Sequence, residues 1–180
     1  MRIHVLNPNT SAWMTGQIGR AAGQAASEGT VVACTQLPDG PETIETAADA
    51  ERAAPYIRAE VEAAARSGCN AHVIACFDDP SVPLLREVVS APVLGIGQAS
   101  MMAASVVGSR FGIVTTSRDS IPELEEMARR YGYGASCRSV RSCDVEIADL
   151  NRPEVYPLIR EAANACLGDG AEILLLGCAG

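Results

Sequence analysis

The stretches that decide the fold are AHVIAC at residues 71–76 and AEILLLGC at residues 171–178. Each is a short apolar run that ends in a cysteine, Cys76 or Cys178. Short apolar runs between turn residues are typical of buried strands in a parallel sheet. Small ligands bind at the carboxyl ends of the strands in open α/β sheets. The sequence therefore predicts two thiols at strand ends, placed as an acid and a base for one substrate carbon.

Outward from these stretches, apolar runs alternate with segments of helical periodicity, which is the pattern of βαβ units with parallel strands. Pro55 is expected to break or kink the second helix, and Gly68 and Gly168 are expected at helix C-caps. Strands are predicted at 2–6, 30–37, 71–76, 92–96, 110–115, 136–141 and 171–177. Helices are predicted at 11–27, 46–67, 80–89, 98–107, 120–131 and 154–167.

The two halves of the chain resemble each other. Residues 58–71 and 160–171 both contain an Ala/Glu-rich helix, then a glycine, then an alanine that opens a strand. Residues 2–7 have a weaker echo in 110–115. Because these features occur in the same order, we predict that the chain consists of two similar α/β lobes, each with a parallel sheet flanked by helices.

The repeat predicts the lobe boundaries as 1–107 and 108–180, with one strand-end cysteine in each lobe. A pseudo-twofold between the lobes would turn both strand ends toward a shared cleft, where we expect the active site. The second half has no counterpart of residues 80–107 after Gly180. The second lobe is therefore expected to be truncated, with its last strand left without a covering helix.

Composition excludes several classes of protein. The net charge is −8, no Lys/Arg run occurs and aromatic content is 4%, so neither nucleic acid nor an anionic membrane is an expected partner. No apolar run approaches the roughly 18 residues of a membrane span, and residues 1–6 predict a strand rather than a signal peptide. An odd number of cysteines, 7, without an export signal indicates reduced thiols in the cytoplasm.

Neither a metal nor a cofactor is expected. The sequence lacks Cys-x-x-Cys and has 2 histidines, which argues against structural zinc, and His72 is expected to pack within its strand. Asp78 and Asp79 have the chemistry of magnesium ligands, but acids at a helix start more often stabilise the helix end. GIGQ at 95–98 lacks the full Gly-x-Gly-x-x-Gly spacing of a dinucleotide site.

The surroundings of the two strand-end cysteines suit chemistry. A helix is expected to begin near Pro80, and a helix N-terminus beside Cys76 would favour its thiolate. Cys178 lies between Gly177 and AG at 179–180, small residues that let backbone N–H groups approach a ligand. The other cysteines are interpreted as small core residues: Cys34, Cys69, Cys137, Cys143 and Cys166.

Two polar segments follow strands that are equivalent in the repeat. NPNTS at 7–11 closes the first strand and opens the first helix, where a hydroxyl suits the N-cap position. The same amide and hydroxyl groups suit a polar floor beneath a ligand, and TTS at 115–117 would supply hydroxyls from the second half. The candidate ligand contacts in these segments are Asn7, Thr10, Ser11, Thr115 and Thr116.

Three motifs together resemble a known family: RIHVLNPNTS at 2–11, ACFDDP at 75–80 and GCAG at 177–180. They are similar to the hydantoin/allantoin racemase branch of the aspartate/glutamate racemase superfamily, and the resemblance covers the whole chain. It implies two α/β lobes with the active site between them, two acid/base cysteines (here Cys76 and Cys178), no cofactor, and a homo-oligomer. With the polar segments above, the expected substrate contacts are Asn7, Thr10, Ser11, Phe77, Asp78, Thr115, Thr116, Gly177, Ala179 and Gly180.

The resemblance implies racemisation of a 5-substituted hydantoin or of allantoin. Phe77 and Ala179 stand where amino-acid racemases of the superfamily carry polar side chains, which favours a less charged ring as substrate. Aspartate or glutamate racemisation and a maleate-type cis–trans isomerisation stay open as alternatives. Decarboxylation of a disubstituted malonate needs one cysteine, so two cysteines count against it. A non-catalytic, flavodoxin-like ligand-binding module, with core thiols or a redox pair, is the alternative outside the enzymes.

Overall fold

The structure is a computed structural model that describes residues 1–179. Its strands and helices confirm the predicted α/β order and lie within a few residues of the predicted ranges. Within the described range, no helix is both long enough and apolar enough to span a bilayer. The elements are β1 (Arg2–Asn7), α1 (Ala12–Ala25), β2 (Val31–Gln36), α2 (Ala47–Arg66), β3 (Ala71–Ile74), α3 (Val82–Val88), β4 (Val93–Gly95), α4 (Ile96–Val107), β5 (Phe111–Thr115), α5 (Ile121–Arg130), β6 (Cys137–Ser142), α6 (Tyr156–Gly168) and β7 (Ile173–Leu176).

The chain divides into two compact units, which comprise residues 1–96 and 97–178. The division falls one helix earlier than the 107/108 boundary expected from the repeat, so that α4 groups with the second unit. The first unit holds a 4-stranded sheet in the order β2-β1-β3-β4, and the second a 3-stranded sheet in the order β6-β5-β7. All strand pairs are parallel, as predicted.

The two sheets share one strand pattern, with the first strand of each unit at the centre. Just past β3, the N–H of Ala75 donates to the carbonyl of Leu6 in β1 at 2.8 Å. Just past β7, the N–H of Gly177 donates to the carbonyl of Val114 in β5 at 2.7 Å. The next residue in each unit is the strand-end cysteine. The repeat inferred from the sequence therefore places the two cysteines at equivalent positions of the two sheets.

The helices before β3 and β7 end alike, at Gly68 as predicted after α2, but at Gly170 rather than the predicted Gly168 after α6. Gly68 follows α2 with φ +86°, and the residue with the same role after α6 is Gly170, with φ +93°. The C-cap expected at Gly168 is wrong, because that residue is the last one of α6. Left-handed backbone favours glycine, which has no Cβ to clash. Composition alone does not decide which glycine of Gly168-Asp169-Gly170 adopts it.

The expected break at Pro55 is also wrong, because α2 runs through this residue without interruption. Proline removes one backbone donor from a helix interior. The helix compensates through tertiary packing, since Ile57 and Val61 are both 0% exposed in the core of the first unit. A capping box between Thr46 and Asp49 also satisfies the backbone groups at its start.

A buried histidine pair joins the two central strands of the first sheet. His4 of β1 and His72 of β3 are register partners, each 1% exposed, with their Nδ1 atoms 3.2 Å apart. The Nε2 atom of His4 lies 2.8 Å from the Thr35 hydroxyl. The expectation that His72 is a packed residue is confirmed. Burial, and secondly the neighbouring His72, lower the pKa of His4 to about 4, and burial lowers the pKa of His72 as well.

We expect this pair to make the first unit sensitive to mild acid. The folded pKa values lie below the ordinary value of 6.5, so the unfolded chain binds protons first as the pH falls. The free energy of unfolding should therefore decrease from pH 6.5 downward, until the folded pair titrates as well. Denaturant titrations at pH 7.5 and 5.0 measure this loss. The sequence has 2 histidines, so a His4→Gln/His72→Gln variant has none and should lose much less. An equal loss in both proteins would contradict the prediction.

Candidate active site

Cys76 lies in a tight turn just past β3. The strand ends at Ile74, and the half-buried cysteine accepts a hydrogen bond at its carbonyl from the N–H of Asp79, at 3.1 Å. The helix start expected near Pro80 is too early, because α3 begins at Val82 and has only 7 residues. The turn of residues 75–81 therefore lies between the end of β3 and the start of α3. Stabilisation of the Cys76 thiolate by that helix stays a prediction.

Cys178 occupies the corresponding position after β7. The strand ends at Leu176, Gly177 follows, and Cys178 is half buried. A Cβ on Gly177 would lie 3.1 Å from both Ile113 Cγ2 and the Val114 carbonyl oxygen, so this approach of the strand end to β5 suits a residue without a side chain. Both strand-end cysteines carry thiols rather than disulfides. The structure thus places each at the carboxyl edge of its own parallel sheet.

The other five cysteines behave as packing residues, in agreement with the sequence interpretation. Cys69, Cys143 and Cys166 are buried, and the Cys166 thiol lies 3.6 Å from the Ile113 carbonyl oxygen. Burial is the main cause of a raised thiol pKa in four of these five cysteines, and it raises the pKa of Cys137 to about 11. A raised pKa leaves little thiolate at neutral pH. The cysteines with such a raised pKa are Cys34, Cys137, Cys143 and Cys166.

The segment after β1 is ordered by its own side chains. Ser11 is the N-cap of α1, and its hydroxyl accepts the N–H of Met14 at 3.4 Å. Asn7 is 0% exposed, and its amide donates to Asn9 Oδ1 at 2.7 Å and to Thr15 Oγ1 at 2.9 Å. Its Oδ1 atom is buried and finds no hydrogen-bond partner among residues 1–179. The predicted polar segment therefore contains one hydrogen-bond acceptor without a partner in the described part of the chain, Asn7 Oδ1. The predicted N-cap of α1 is confirmed at Ser11.

The remaining polar candidates anchor loops through their backbones. Thr10 donates its N–H to the Pro41 carbonyl at 3.0 Å. Thr115 is 3% exposed and accepts the N–H of Cys143 at 2.9 Å, while Thr116 is half buried. Asn7 ends β1, which pairs with β3, and Thr115 ends β5, which pairs with β7, so each polar residue closes the strand beside the one that leads to the cysteine.

The residues that follow the cysteines differ in exposure. Phe77 is 2% exposed, whereas Asp78 and Ala179 are half buried. Gly180, also expected at the site, lies outside the described residues. The aromatic side chain after Cys76 is thus part of the packed interior of this turn rather than a surface group.

Sequence reasoning missed the role of Asp79. Its position in the sequence predicts a carboxylate that stabilises the start of a helix, but the N-cap of α3 is Ser81. The carboxylate of Asp79 instead lies against Gly95, where an added Cβ would be 2.1 Å from Asp79 Cγ. Among the described residues, no three or more His, Cys, Asp or Glu side chains are grouped to hold a metal ion. The sequence offered one signal, an acidic residue directly before Pro80. It did not indicate that this residue contacts β4, because that strand lies further along the chain.

Comparisons with known proteins agree with these features. A family model described as Asp/Glu/Hydantoin racemase matches residues 3–180. The chain is 39% identical over 184 residues to a hydantoin racemase of Rhizobium meliloti, which covers 100% of this chain and 76% of the relative. It is 36% identical over 183 residues to a hydantoin racemase of Pseudomonas sp. (strain NS671), which covers 100% and 74%. The solved structure of an allantoin racemase from Klebsiella pneumoniae matches with a TM-score of 0.95 and 34% identity, over 99% of this chain and 74% of that one.

Proposed function

We propose that this chain, which belongs to the Asp/Glu/Hydantoin racemase family, racemises 5-substituted hydantoins or allantoin. Membership makes the chain an isomerase of the racemase class. The substrate and the mechanism are the proposal. The observation that carries it is the equivalent position of Cys76 and Cys178, each one residue past a backbone hydrogen bond between corresponding strands.

In the proposed reaction, the thiolate of one cysteine removes the proton from C5 of the ring and becomes a thiol. The electron pair of the broken C–H bond moves onto the adjacent carbonyl, which becomes an enolate. The thiol of the other cysteine then donates its proton to the opposite face of C5 and becomes the thiolate. Backbone N–H groups at the strand ends, aimed at the enolate oxygen, would stabilise the charge where it develops.

The two thiols must hold one proton between them at the start of each turnover. A thiolate and a thiol in alternate states serve the two enantiomers, which requires both groups to titrate near the working pH. Their titrations are then properties of the pair rather than of either residue. Four other cysteines do not take part in the proposed reaction, because their raised pKa values disfavour the thiolate: Cys34, Cys137, Cys143 and Cys166.

The residues after the two cysteines support a hydantoin ring rather than an amino acid. The buried Oδ1 acceptor of Asn7 suits a ring N–H, but the ammonium group of an amino acid is a donor as well, so this acceptor does not separate the two substrates. Phe77 and Ala179 follow the two cysteines with apolar side chains. The substrate contacts that we propose around the ring are Asn7, Thr10, Ser11, Phe77, Asp78, Thr115, Thr116, Gly177, Ala179 and Gly180.

We also propose a homo-oligomer in a reducing, cytoplasmic environment. All 7 cysteines carry thiols, as expected where disulfides do not persist. The small-molecule substrate is the other partner. Light scattering of the purified protein measures the oligomeric state.

The test of the proposed function uses a single enantiomer in deuterated water. A pure 5-substituted hydantoin, or pure allantoin, should lose optical activity while deuterium enters at C5. A cis–trans isomerase would leave this substrate unchanged and act on an alkene diacid instead. A ligand-binding module would bind the ring without exchange. Retention of both hydrogen and optical activity would contradict the proposal.

A further inference from the structure

The turn after Cys76 holds a concentration of backbone strain. Asp79 has φ +50° and Ser81 has φ +63°, both in the left-handed region that residues with a Cβ rarely adopt. Among the described residues, one other non-glycine residue, Asp144, has a positive φ, at +51°. Such backbone persists only where the surrounding structure holds it, and it collects at functional sites. The turn therefore needs a restraint.

The carboxylate of Asp79 is buried against the neighbouring strand β4. Asp79 is 4% exposed, and its carboxylate occupies the space beside Gly95 in which a side chain at position 95 would stand. An added Cβ there would lie 2.1 Å from Cγ and Oδ1 and 2.5 Å from Oδ2. Gly95 is the register partner of Ile74 at the end of the β3–β4 ladder. The carboxylate is thus seated at the same sheet edge from which the Cys76 turn departs.

The backbone of Asp79 links the position of its carboxylate to Cys76. Its N–H donates to the Cys76 carbonyl at 3.1 Å, and its own carbonyl accepts the N–H of Val82, the first residue of α3, at 3.3 Å. One residue therefore touches the cysteine, the next helix and the neighbouring strand. Displacement of its side chain from Gly95 would therefore weaken the contacts of Asp79 with the cysteine, with the helix and with the strand.

We propose that Asp79 is the positioning residue of Cys76, and that its carboxylate, seated against Gly95, locks the turn that orients the thiol. The proposal deepens the proposed function, because it takes Cys76 as one of the two acid/base groups.

The first test is Asp79→Ala. Turnover should fall by about 10²-fold with KM changed less than threefold, because a misplaced acid/base group slows chemistry more than binding. The second readout is the rate at which iodoacetamide alkylates each cysteine, followed peptide by peptide. Cys76 should react at least threefold faster in the variant, because the turn is looser and one negative charge is gone. Buried Cys143 and Cys166 should keep their slow rates; faster reaction there would report general unfolding.

Two further variants separate the effect of the carboxylate's charge from the effect of its position beside Gly95. Asp79→Asn keeps the shape and should lie between wild type and Asp79→Ala in turnover. Gly95→Ala displaces the carboxylate without removing its charge, and should reproduce the faster Cys76 alkylation. Adding Gly95→Ala to Asp79→Ala should cost less than threefold more in turnover, because the space is then vacant.

Matched controls use the same substitutions elsewhere. Asp144→Asn changes an aspartate of similar φ that is exposed and paired with Arg118, and Gly23→Ala adds a methyl group where nothing lies within 4 Å. Both should leave turnover and Cys76 alkylation unchanged within twofold. A folded Asp79→Ala with either readout at the wild-type level would overturn the proposal. If Asp79→Ala does not fold, Asp79→Asn and Gly95→Ala decide by the same criteria. If the wild-type protein does not racemise, the proposed function fails, and alkylation alone decides the positioning role.

Discussion

Replacing Cys76 or Cys178 by alanine is expected to abolish racemisation, with a loss of about 10³-fold or more in turnover. Acid/base groups contribute roughly 10²–10⁴-fold each, and a two-base reaction stops when either face of C5 loses its group. Each variant should retain exchange of the C5 proton for deuterium on one enantiomer, the one whose hydrogen faces the surviving thiolate. Polarimetry measures the racemisation, and mass spectrometry of each enantiomer in deuterated water measures the exchange.

Cys34→Ala is the matched control, because Cys34 is half buried like the two strand-end cysteines but lies inside β2. Its thiol lies 3.5 Å from the carbonyl oxygen of Thr15 in α1. We expect its turnover to stay within threefold of the wild type. Full activity in Cys76→Ala or in Cys178→Ala would rule out the two-base mechanism.

The second large effect is a preference for the hydantoin ring over the free amino acid with the same side chain. The hydantoin that carries a carboxyethyl group at C5 and glutamate form a matched pair, because only the ring differs. We expect kcat/KM to favour the hydantoin by about 10⁴-fold or more, since a site built to pair with a polar group rejects a substrate that lacks it. The pair made from aspartate and its hydantoin should give the same order.

These rates are measured by circular dichroism on each pure enantiomer. The aspartate and glutamate alternatives predict the opposite preference, so comparable rates on glutamate and its hydantoin would refute the substrate assignment within the family. The cysteine variants above would remain informative in that case, because they test the mechanism and not the ring.

The sequence by itself predicted where the strands and helices lie and that Cys76 and Cys178 each follow the end of a strand. Apolar runs such as 71–76 must be buried, and their length and flanking residues are local properties that periodicity detects. The echo between 2–7 and 110–115 predicted that β1 and β5 are equivalent, and the matching hydrogen bonds beyond β3 and β7 confirm it. The polar residues that close β1 and β5 followed from the same local reading.

Only the tertiary structure decided how distant residues meet. The strand order β2-β1-β3-β4 places His4 beside His72 and Asp79 beside Gly95, pairs that no spacing along the chain announces. Tertiary structure also decided the course of a single helix. Packing of its buried face keeps α2 continuous through Pro55. Sequence periodicity reports which residues prefer burial, but strand order and register are set by the packing of the whole unit, so contacts between strands are decided only when the sheet assembles.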